Sequence, residues 1–282
     1  KDYVLIMLFI KYISDKYAGV PYAPITVPPG ASFTDMVALK GKTTIGDDIN
    51  KKIIGPIEEA NKSLGSIKVD FDNPEKLGTG KEKVERLTKL IAIFEGLNFS
   101  KNKAEGDDIL GDAYEYLMRH FATDSGKSKG QFYTPSEVSR IMAKIIDVHK
   151  ADKPSFTVYD PTCGSGSLLL RVKREVQDVD MIFGQEMNRT TYNLARMNMI
   201  LHDVHFAKFD IKQENTLTRP QHRDDRFDAV VANPPFSANW SADPLFLQDE
   251  RFSAFGKLAP SSKADMAFVQ HMLHQLDDNG TM

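Results

Sequence analysis

The residues best suited to chemistry are Asn233, Pro234, Pro235 and Phe236, which follow the apolar segment 229–232. Two consecutive prolines fix the backbone and remove two N–H donors, so the carbonyls that remain act as hydrogen-bond acceptors. The Asn233 carboxamide oxygen is a further acceptor, and the Phe236 ring offers a face on which a planar group can stack. The combination predicts a site that holds an exocyclic amino group on a flat ring. A chance turn after a strand explains it less well, because such a turn requires no more than Asn-Pro.

A glycine-containing turn occurs earlier in the chain, between Asp160 and Ser167. Gly164 and Gly166 permit a tight turn and a close approach of the backbone to a ligand. Turns of this kind join many strand–helix pairs, so the two glycines alone are a weak indication. Leu169 occupies the third glycine position of the dinucleotide-binding pattern. We therefore expect a nucleoside cofactor without a pyrophosphate, and we reject a nicotinamide-binding Rossmann domain.

Glu186 is a third candidate, because it follows the apolar segment 181–184 at the end of the second predicted strand. A carboxylate in that position can accept hydrogen bonds from both ribose hydroxyls. A solvated surface glutamate is the alternative interpretation. The distance from the glycine turn favours the ribose role, since ribose-binding carboxylates lie about 20 residues beyond such a turn.

The elements that position these motifs alternate along the second half of the chain. Predicted strands and helices are interleaved, with strands at 156–159, 181–183, 205–209 and 227–232 and helices at 135–148, 168–176, 190–201 and 264–276. This alternation predicts an α/β domain with a mostly parallel sheet and helices on both faces. Ligands bind at the carboxyl ends of the strands in such sheets, and each motif falls at a predicted strand end.

The chain before residue 123 is predicted to be all-helical. Val4–Ile10 is apolar nearly all round and indicates a buried helix, since a membrane span needs roughly 20 apolar residues. Residues 84–94 carry an apolar stripe at helical spacing. Asp47 is expected to cap a further helix that Pro56 bends or ends.

Composition limits the classes of function. The single cysteine, Cys163, excludes a disulfide framework and a multi-cysteine zinc site, and it favours a reducing cytoplasm. The net charge of −3 argues against a self-sufficient DNA-binding protein. If the protein acts on DNA, a partner would therefore have to supply the positively charged surface that binds the phosphates. The seven histidines show no metal-ligand spacing, so we expect no metal site.

These motifs and their order resemble those of gamma-class N6-adenine DNA methyltransferases, and in particular the modification subunits of type I restriction-modification systems. Asp160–Gly166 and Asn233–Phe236 resemble the cofactor and catalytic motifs of amino-methyltransferases. Gly130–Pro135 resembles the cofactor motif that precedes the glycine turn in adenine-N6 enzymes. Leu110–Leu117, in a predicted amphipathic helix over 109–121, and the helical N-terminal domain are typical of type I modification subunits.

The resemblance implies a Rossmann-like S-adenosylmethionine-dependent methyltransferase sheet over residues 123–282, with an N-terminal all-helical domain over 1–122 on the assembly or DNA side. It implies methyl transfer from S-adenosylmethionine to the N6 amine of an adenine flipped out of double-stranded DNA, with no metal. The implied partners are a DNA-specificity subunit, a second copy of the modification subunit and a restriction (nuclease) subunit, with no membrane.

The resemblance also assigns roles to individual residues. Asn233, Pro234, Pro235 and Phe236 are the catalytic set. The cofactor-binding set comprises Gln131, Phe132, Thr134, Pro135, Asp160, Thr162, Cys163, Gly164, Gly166, Glu186 and Asn215.

Within the cofactor-binding set, Gln131, Thr134 and Pro135 are implied at the methionine end. Asn215 is implied at the adenine ring, although the family often has Asp there. Asp265 resembles a motif on the helix before the fifth strand, and it is either functional or a cap of that helix.

Two alternatives remain open at this point. A protein-glutamine N5 methyltransferase uses a similar motif but usually carries Tyr at the position of Phe236, and its N-terminal domain is shorter. An inactive scaffold for a specificity subunit is the second alternative, against which the intact motifs argue. Asn279-Gly280 predicts a turn before a further strand, so we expect the sheet to be incomplete at residue 282.

Overall fold

A computed structural model of the protein describes residues 2–62, 69–99, 116–117, 134–149, 155–176 and 178–282. The chain divides into two compact units. One contains residues 1–121 with 201–206, and the other contains 122–200 with 207–282. The predicted helix at 109–121 lies outside the described residues except for the helical pair Tyr116 and Leu117, and so do Gln131 and Phe132.

The first unit is built from helices α1 (Asp2–Tyr17), α2 (Phe33–Val37), α3 (Ile45–Asp48), α4 (Gly55–Ala60), α5 (Pro74–Leu77) and α6 (Gly80–Glu95). α1 buries every residue from Leu5 to Ser14, which confirms the prediction of a buried helix. α6 buries Leu87, Ile91 and Phe94, one face of the predicted apolar stripe.

The predictions for Asp47 and Pro56 are wrong. The helix begins at Ile45, and the Asp47 carboxylate pairs with Lys51 at 2.8 Å. Pro56 lies in the first turn of α4 and does not end the helix. A π-helical segment, Ile49–Ile54, joins α3 to α4, so the helical path continues through the proline.

The second unit contains a five-stranded sheet of β1 (Phe156–Asp160), β2 (Val179–Glu186), β3 (Phe209–Gln213), β4 (Phe227–Val230) and β5 (Leu276–Thr281). All pairs are parallel, and the strand order is β3-β2-β1-β4-β5. The unit also contains helices α7 (Ser136–His149), α8 (Ser167–Glu175), α9 (Arg189–Leu201), α10 (Glu250–Ser253) and α11 (Asp265–Gln275). The predicted α/β fold is confirmed.

The central strand β1 determines where the motifs meet. Tyr159 pairs with Phe183 on β2 and with Val230 on β4. Its ring stacks on Phe227 in the core at a centroid distance of 4.5 Å. Since the chain runs outward from β1 in both directions, the sheet has a switch point between β1 and β4, where open α/β sheets bind ligands.

Two strand predictions need correction. His205 precedes a short 3₁₀ helix, Phe206–Lys208, and the strand begins only at Phe209. Asn279-Gly280 does not form a turn but lies inside β5, between Leu276 and Thr281, which pair with Phe227 and Ala229 on β4 across a register shift. A Cβ on Gly280 would lie 2.9 Å from the Phe227 carbonyl oxygen, so glycine permits this close strand approach.

Among the described residues, no helix is both long enough and apolar enough to cross a membrane.

Candidate active site

The segment after β4 brings acceptor groups to the carboxyl edge of the sheet. The Val231 N–H donates to the Tyr159 carbonyl at 2.9 Å, which keeps the chain beside β1 as it leaves the strand. Asn233 and Pro235 are half-buried and line a cavity. The Asn233 carboxamide has no hydrogen-bond partner in the part of the chain that the structure describes, so its oxygen is available to a ligand. Phe236 is 76% exposed.

A strained turn follows Phe236 and is tied to α11. Ser237 has a φ of 53°, a left-handed conformation that is uncommon for a non-glycine residue. Its N–H donates to the two carboxylate oxygens of Asp265 at 3.2 and 3.3 Å. The N-cap of α11 is Ala264, without a side-chain hydrogen bond. Asp265 therefore does not cap the helix, and its carboxylate holds the turn next to the acceptor motif instead.

The glycine turn lies at the end of β1. Gly164 and Gly166 have φ angles of 53° and 78°, so both use the conformational freedom of glycine. Gly166 is the N-cap of α8, and its N–H donates to the Cys163 carbonyl at 2.7 Å. The Cys163 N–H donates to the Gln185 carbonyl at 3.0 Å, which fastens the turn to β2.

Burial changes the acidity of two groups in this turn. The Asp160 carboxylate accepts a hydrogen bond from the Thr162 N–H at 2.8 Å. Burial raises the pKa of Asp160 to about 7, although the bonds from Thr162 oppose the rise. Burial also raises the pKa of the Cys163 thiol well above its usual range. Cys163 therefore stays protonated and is not suited to be a nucleophile.

Glu186 connects β2 to the glycine turn. One carboxylate oxygen accepts from the Gly164 N–H at 3.1 Å, and the other accepts from the Asn188 N–H at 2.6 Å. Burial raises the pKa of Glu186, and the backbone donors partly offset the rise. Each oxygen keeps a second lone pair that can accept from a ligand hydroxyl.

The loop after β3 uses the oxygen of Asn215 internally. This oxygen accepts from the N–H groups of Leu217 and Thr218 at 3.0 and 3.2 Å. The amide nitrogen of Asn215 donates to the Met187 sulfur at 3.5 Å and keeps a second N–H, which can contact a ligand ring only as a donor. The Thr216 hydroxyl donates to the Pro161 carbonyl at 2.6 Å and ties the loop to β1.

These four segments enclose one cavity of about 280 Å³. Its wall combines residues that follow β1, β2, β3 and β4 with residues at the start of α11: Pro161, Thr162, Glu186, Met187, Asn188, Asn215, Thr216, Leu217, Asn233, Pro235, Ala238, Asn239, Trp240, Ala264 and Phe268. The Glu186 carboxylate suits ribose hydroxyls, and the apolar side chains suit a flat ring. The residues that line the cavity therefore fit an adenosine group.

The predicted residues distribute unequally around this cavity. Thr162, Glu186, Asn215, Asn233 and Pro235 line it. The cavity wall does not include the other described members of the predicted set: Asp160, Cys163, Gly164, Gly166, Pro234, Phe236, Thr134 and Pro135.

The positions of some of these residues explain why they do not line the cavity. Asp160 and Cys163 are buried beneath the turn. Thr134 is buried and Pro135 exposed immediately before α7. Gln131 and Phe132 lie outside the described residues.

One wall of the cavity, formed by the chain after Asn233–Phe236, was not predicted from the sequence. Trp240, Ala264 and Phe268 line the cavity and belong to one apolar cluster with Leu217 and Phe252. Trp240 is the only tryptophan in the chain, which is the one signal that could have drawn attention to this segment. No group of three or more histidine, cysteine, aspartate or glutamate side chains placed to bind a metal occurs among the residues that the structure describes.

Residues 105–282 match the family described as N-6 DNA Methylase, and residues 1–94 match the HsdM N-terminal domain. The chain is 39% identical over 253 residues to the type I restriction enzyme MpnII methylase subunit of Mycoplasma pneumoniae, a match that covers 84% of this chain and 46% of the relative. It is 32% identical over 212 residues to the HindI methylase subunit of Haemophilus influenzae, covering 70% and 45%.

A crystal structure of the methyltransferase subunit of a type I restriction-modification system from Streptococcus thermophilus is similar, with a TM-score of 0.87 and 36% identity. The similarity covers 99% of this chain and 68% of that one. The chain thus spans about half the length of the curated relatives that it matches.

Proposed function

Since the chain belongs to the N-6 DNA methylase family, we propose that it transfers a methyl group from S-adenosylmethionine to the N6 amine of adenine in DNA. The observation that carries the proposal is the shared cavity. Asn233, after β4, lines the same space as Thr162 and Glu186, after β1 and β2. A site that joins two substrates needs this arrangement, because the reacting atoms must be held close together and in line.

The acceptor groups account for activation of the amine. The adenine N6 amine is a poor nucleophile because its lone pair is delocalised into the ring. The Asn233 carboxamide oxygen and the Pro234 carbonyl accept hydrogen bonds from its two N–H groups. These hydrogen bonds favour a tetrahedral nitrogen whose lone pair is free. They also stabilise the positive charge that develops on nitrogen, and such preorganised electrostatic stabilisation is often the largest catalytic contribution. S-adenosylmethionine, when bound, would supply the electrophilic methyl group as its S–C bond breaks, and S-adenosylhomocysteine would leave. The methylated nitrogen would then release one proton to solvent, and the transfer requires no metal.

An adenine stacked in a duplex cannot enter such a cavity, so the base must be flipped out. Phe236 supports this step. It is 76% exposed and lies beside two residues that line the cavity, so its ring can stack on an extruded base. The tie between Ser237 and Asp265 keeps that ring next to the acceptors.

The names of the relatives and the net charge support the partners that we propose. The relatives are methylase subunits of type I restriction enzymes, and the net charge of −3 leaves sequence-specific DNA contacts to another subunit. We propose a cytoplasmic complex of two modification subunits with one DNA-specificity subunit, joined by a restriction subunit for cleavage. The N-terminal domain over 1–122, which includes the match to the HsdM N-terminal domain, would serve assembly.

The test compares Asn233→Ala and Phe236→Ala with the wild-type protein. Methylation of DNA is measured with labelled S-adenosylmethionine and the specificity subunit, and cofactor affinity is measured separately by calorimetry. Asn233→Ala is expected to lower turnover by at least about 10²-fold, the effect of removing one preorganised hydrogen-bonding group, with cofactor affinity nearly unchanged.

Asn279→Ala is the matched control, because Asn279 is an exposed asparagine on β5 outside the cavity. Near-wild-type turnover of Asn233→Ala would contradict the mechanism. Methylation of a peptide glutamine in place of DNA would instead support the protein-glutamine alternative.

A further inference from the structure

A buried arginine lies behind the wall of the cavity. Arg251, on α10, is 1% exposed, which is rare for arginine unless its charge is paired. Its Nε and Nη2 donate to the two carboxylate oxygens of Asp249 at 3.0 and 2.9 Å. This bidentate pair fixes the plane of the guanidinium and compensates its charge.

The remaining donors of Arg251 point at the loop after β3. Nη1 donates to the Thr216 carbonyl at 3.0 Å, and Nη2 donates to the Leu217 carbonyl at 2.9 Å. Nη1 also lies 3.2 Å from Nδ1 of His271. The five N–H groups of the guanidinium are thus matched by five acceptors. Two of those acceptors belong to Thr216 and Leu217, which line the cavity.

His271 provides a rigid backing for this arrangement. It is fully buried on α11, and burial together with the Arg251 charge lowers its pKa to about 3. The ring is therefore neutral at ordinary pH, and Nδ1 accepts from the guanidinium. The Nε2–H then faces the Tyr159 hydroxyl on β1 at 3.2 Å. Arg251 is held through these contacts against the centre of the sheet.

The neighbouring residue reaches the opposite wall. The Phe252 ring packs against the Trp240 ring at a centroid distance of 5.6 Å, and Trp240 lines the cavity. The short helix α10 therefore contacts two walls of the cavity, one through carbonyls and one through an aromatic ring. Its side chains do not line the cavity themselves.

We propose that Arg251 is a positioning residue for cofactor binding, because it holds the Thr216 and Leu217 carbonyls and so keeps the cavity in the shape that accepts adenosine. The inference rests on the proposed function. Lysine cannot replace this group, because an ammonium is a point charge and cannot reproduce the bidentate pair together with donors to two carbonyls. Arg251 is accordingly a determinant of cofactor affinity and does not touch the reacting atoms.

The test measures binding of S-adenosylhomocysteine by calorimetry, together with the KM for S-adenosylmethionine and kcat. Arg251→Lys is expected to raise the dissociation constant and KM at least about tenfold, equivalent to about 1.4 kcal/mol, with kcat within about twofold. Asp249→Asn, which leaves the arginine in place but weakens its orientation, is expected to give a smaller rise of about threefold. Met272→Ala, a buried core change on α11 outside the cavity, is the control for destabilisation.

The two hypotheses fail in different ways. Absence of cofactor binding by the wild-type protein would overturn the proposed function. If the wild-type protein binds and Arg251→Lys or Asp249→Asn binds equally well, the positioning role of Arg251 is wrong. A purely structural role predicts that Met272→Ala, at equal loss of thermal stability, weakens binding as much as Arg251→Lys does. Should Arg251→Lys fail to fold, the dissociation constant of Asp249→Asn decides between these outcomes.

Discussion

The Asp160→Asn variant should gain unfolding free energy relative to the wild-type protein as the pH rises. The Asp160 carboxyl is buried at the end of β1, and burial raises its pKa from 3.8 to about 7. The native state therefore binds this proton more tightly than the unfolded chain does. The stabilisation from Asp160 is fully present below pH 3.8 and is lost as the pH rises through about 7. An asparagine has no such dependence, since its side chain does not titrate.

The size of the effect follows from the two pKa values. One unit of difference between the folded and unfolded pKa corresponds to about 1.4 kcal/mol. Between about pH 5 and pH 8 the wild-type protein should lose roughly 2–3 kcal/mol of unfolding free energy relative to Asp160→Asn. This is a large fraction of the stability of an ordinary domain, which is about 5–15 kcal/mol.

Urea unfolding of both proteins across that pH range measures the difference directly. Comparison at each pH cancels the contributions of other titrating groups, among them the buried His271. Thr162→Val should retain the pH dependence, because it keeps the titrating carboxyl and removes only a hydroxyl whose hydrogen bond opposes the rise in its pKa. If the unfolding free energies of wild type and Asp160→Asn run parallel from acid to alkaline pH, the assignment of a buried, proton-binding Asp160 is refuted.

Two further predictions concern the turns on either side of the cavity. Asp265→Asn should lower kcat about tenfold, a loss of about 1.4 kcal/mol, because it weakens the hydrogen bonds that the Ser237 N–H donates. Adding Ser237→Gly to the same chain should restore part of the lost kcat, since glycine adopts a φ of 53° without strain. Absence of rescue in a DNA methylation assay would argue against this. Gly184→Val should lower the free energy of urea unfolding by about 1–3 kcal/mol and weaken cofactor binding, because a Cβ there lies 3.1 Å from the Cys163 sulfur. An unchanged cofactor affinity in calorimetry would contradict this prediction.

The local features of the fold were predictable where the signal is periodic or chemical. An unbroken apolar run gave the buried helix α1, and alternation of apolar strands with amphipathic helices gave the parallel sheet. Adjacent positions determine these patterns, so no knowledge of distant contacts is required. The order of the motifs likewise indicated the N-6 DNA methylase family, which the family match confirms.

The errors occur where a distant part of the chain overrides a local preference. Asn279-Gly280 favours a turn, yet it lies within β5, because Leu276 and Thr281 on either side of it pair with Phe227 and Ala229 on β4. Asp265 has the residue type of a helix cap, yet its carboxylate is taken by the Ser237 N–H, 28 residues away in sequence. The π-helical segment before Pro56 could not be read from residue preferences either.

The sequence by itself determined the type of fold, the family, and the residue types that we propose for methyl transfer, because strand ends and proline-fixed acceptors are encoded in short segments. Only the tertiary structure decided that Asn233, Glu186 and Thr162 line one cavity, since parallel pairing of β1 with both β2 and β4 brings their ends together. The same holds for Arg251, whose acceptors at Thr216 and Leu217 are 35 and 34 residues away. A buried charge of this kind is stable only when the packed chain supplies all of its hydrogen-bond partners together, and these partners come from distant segments.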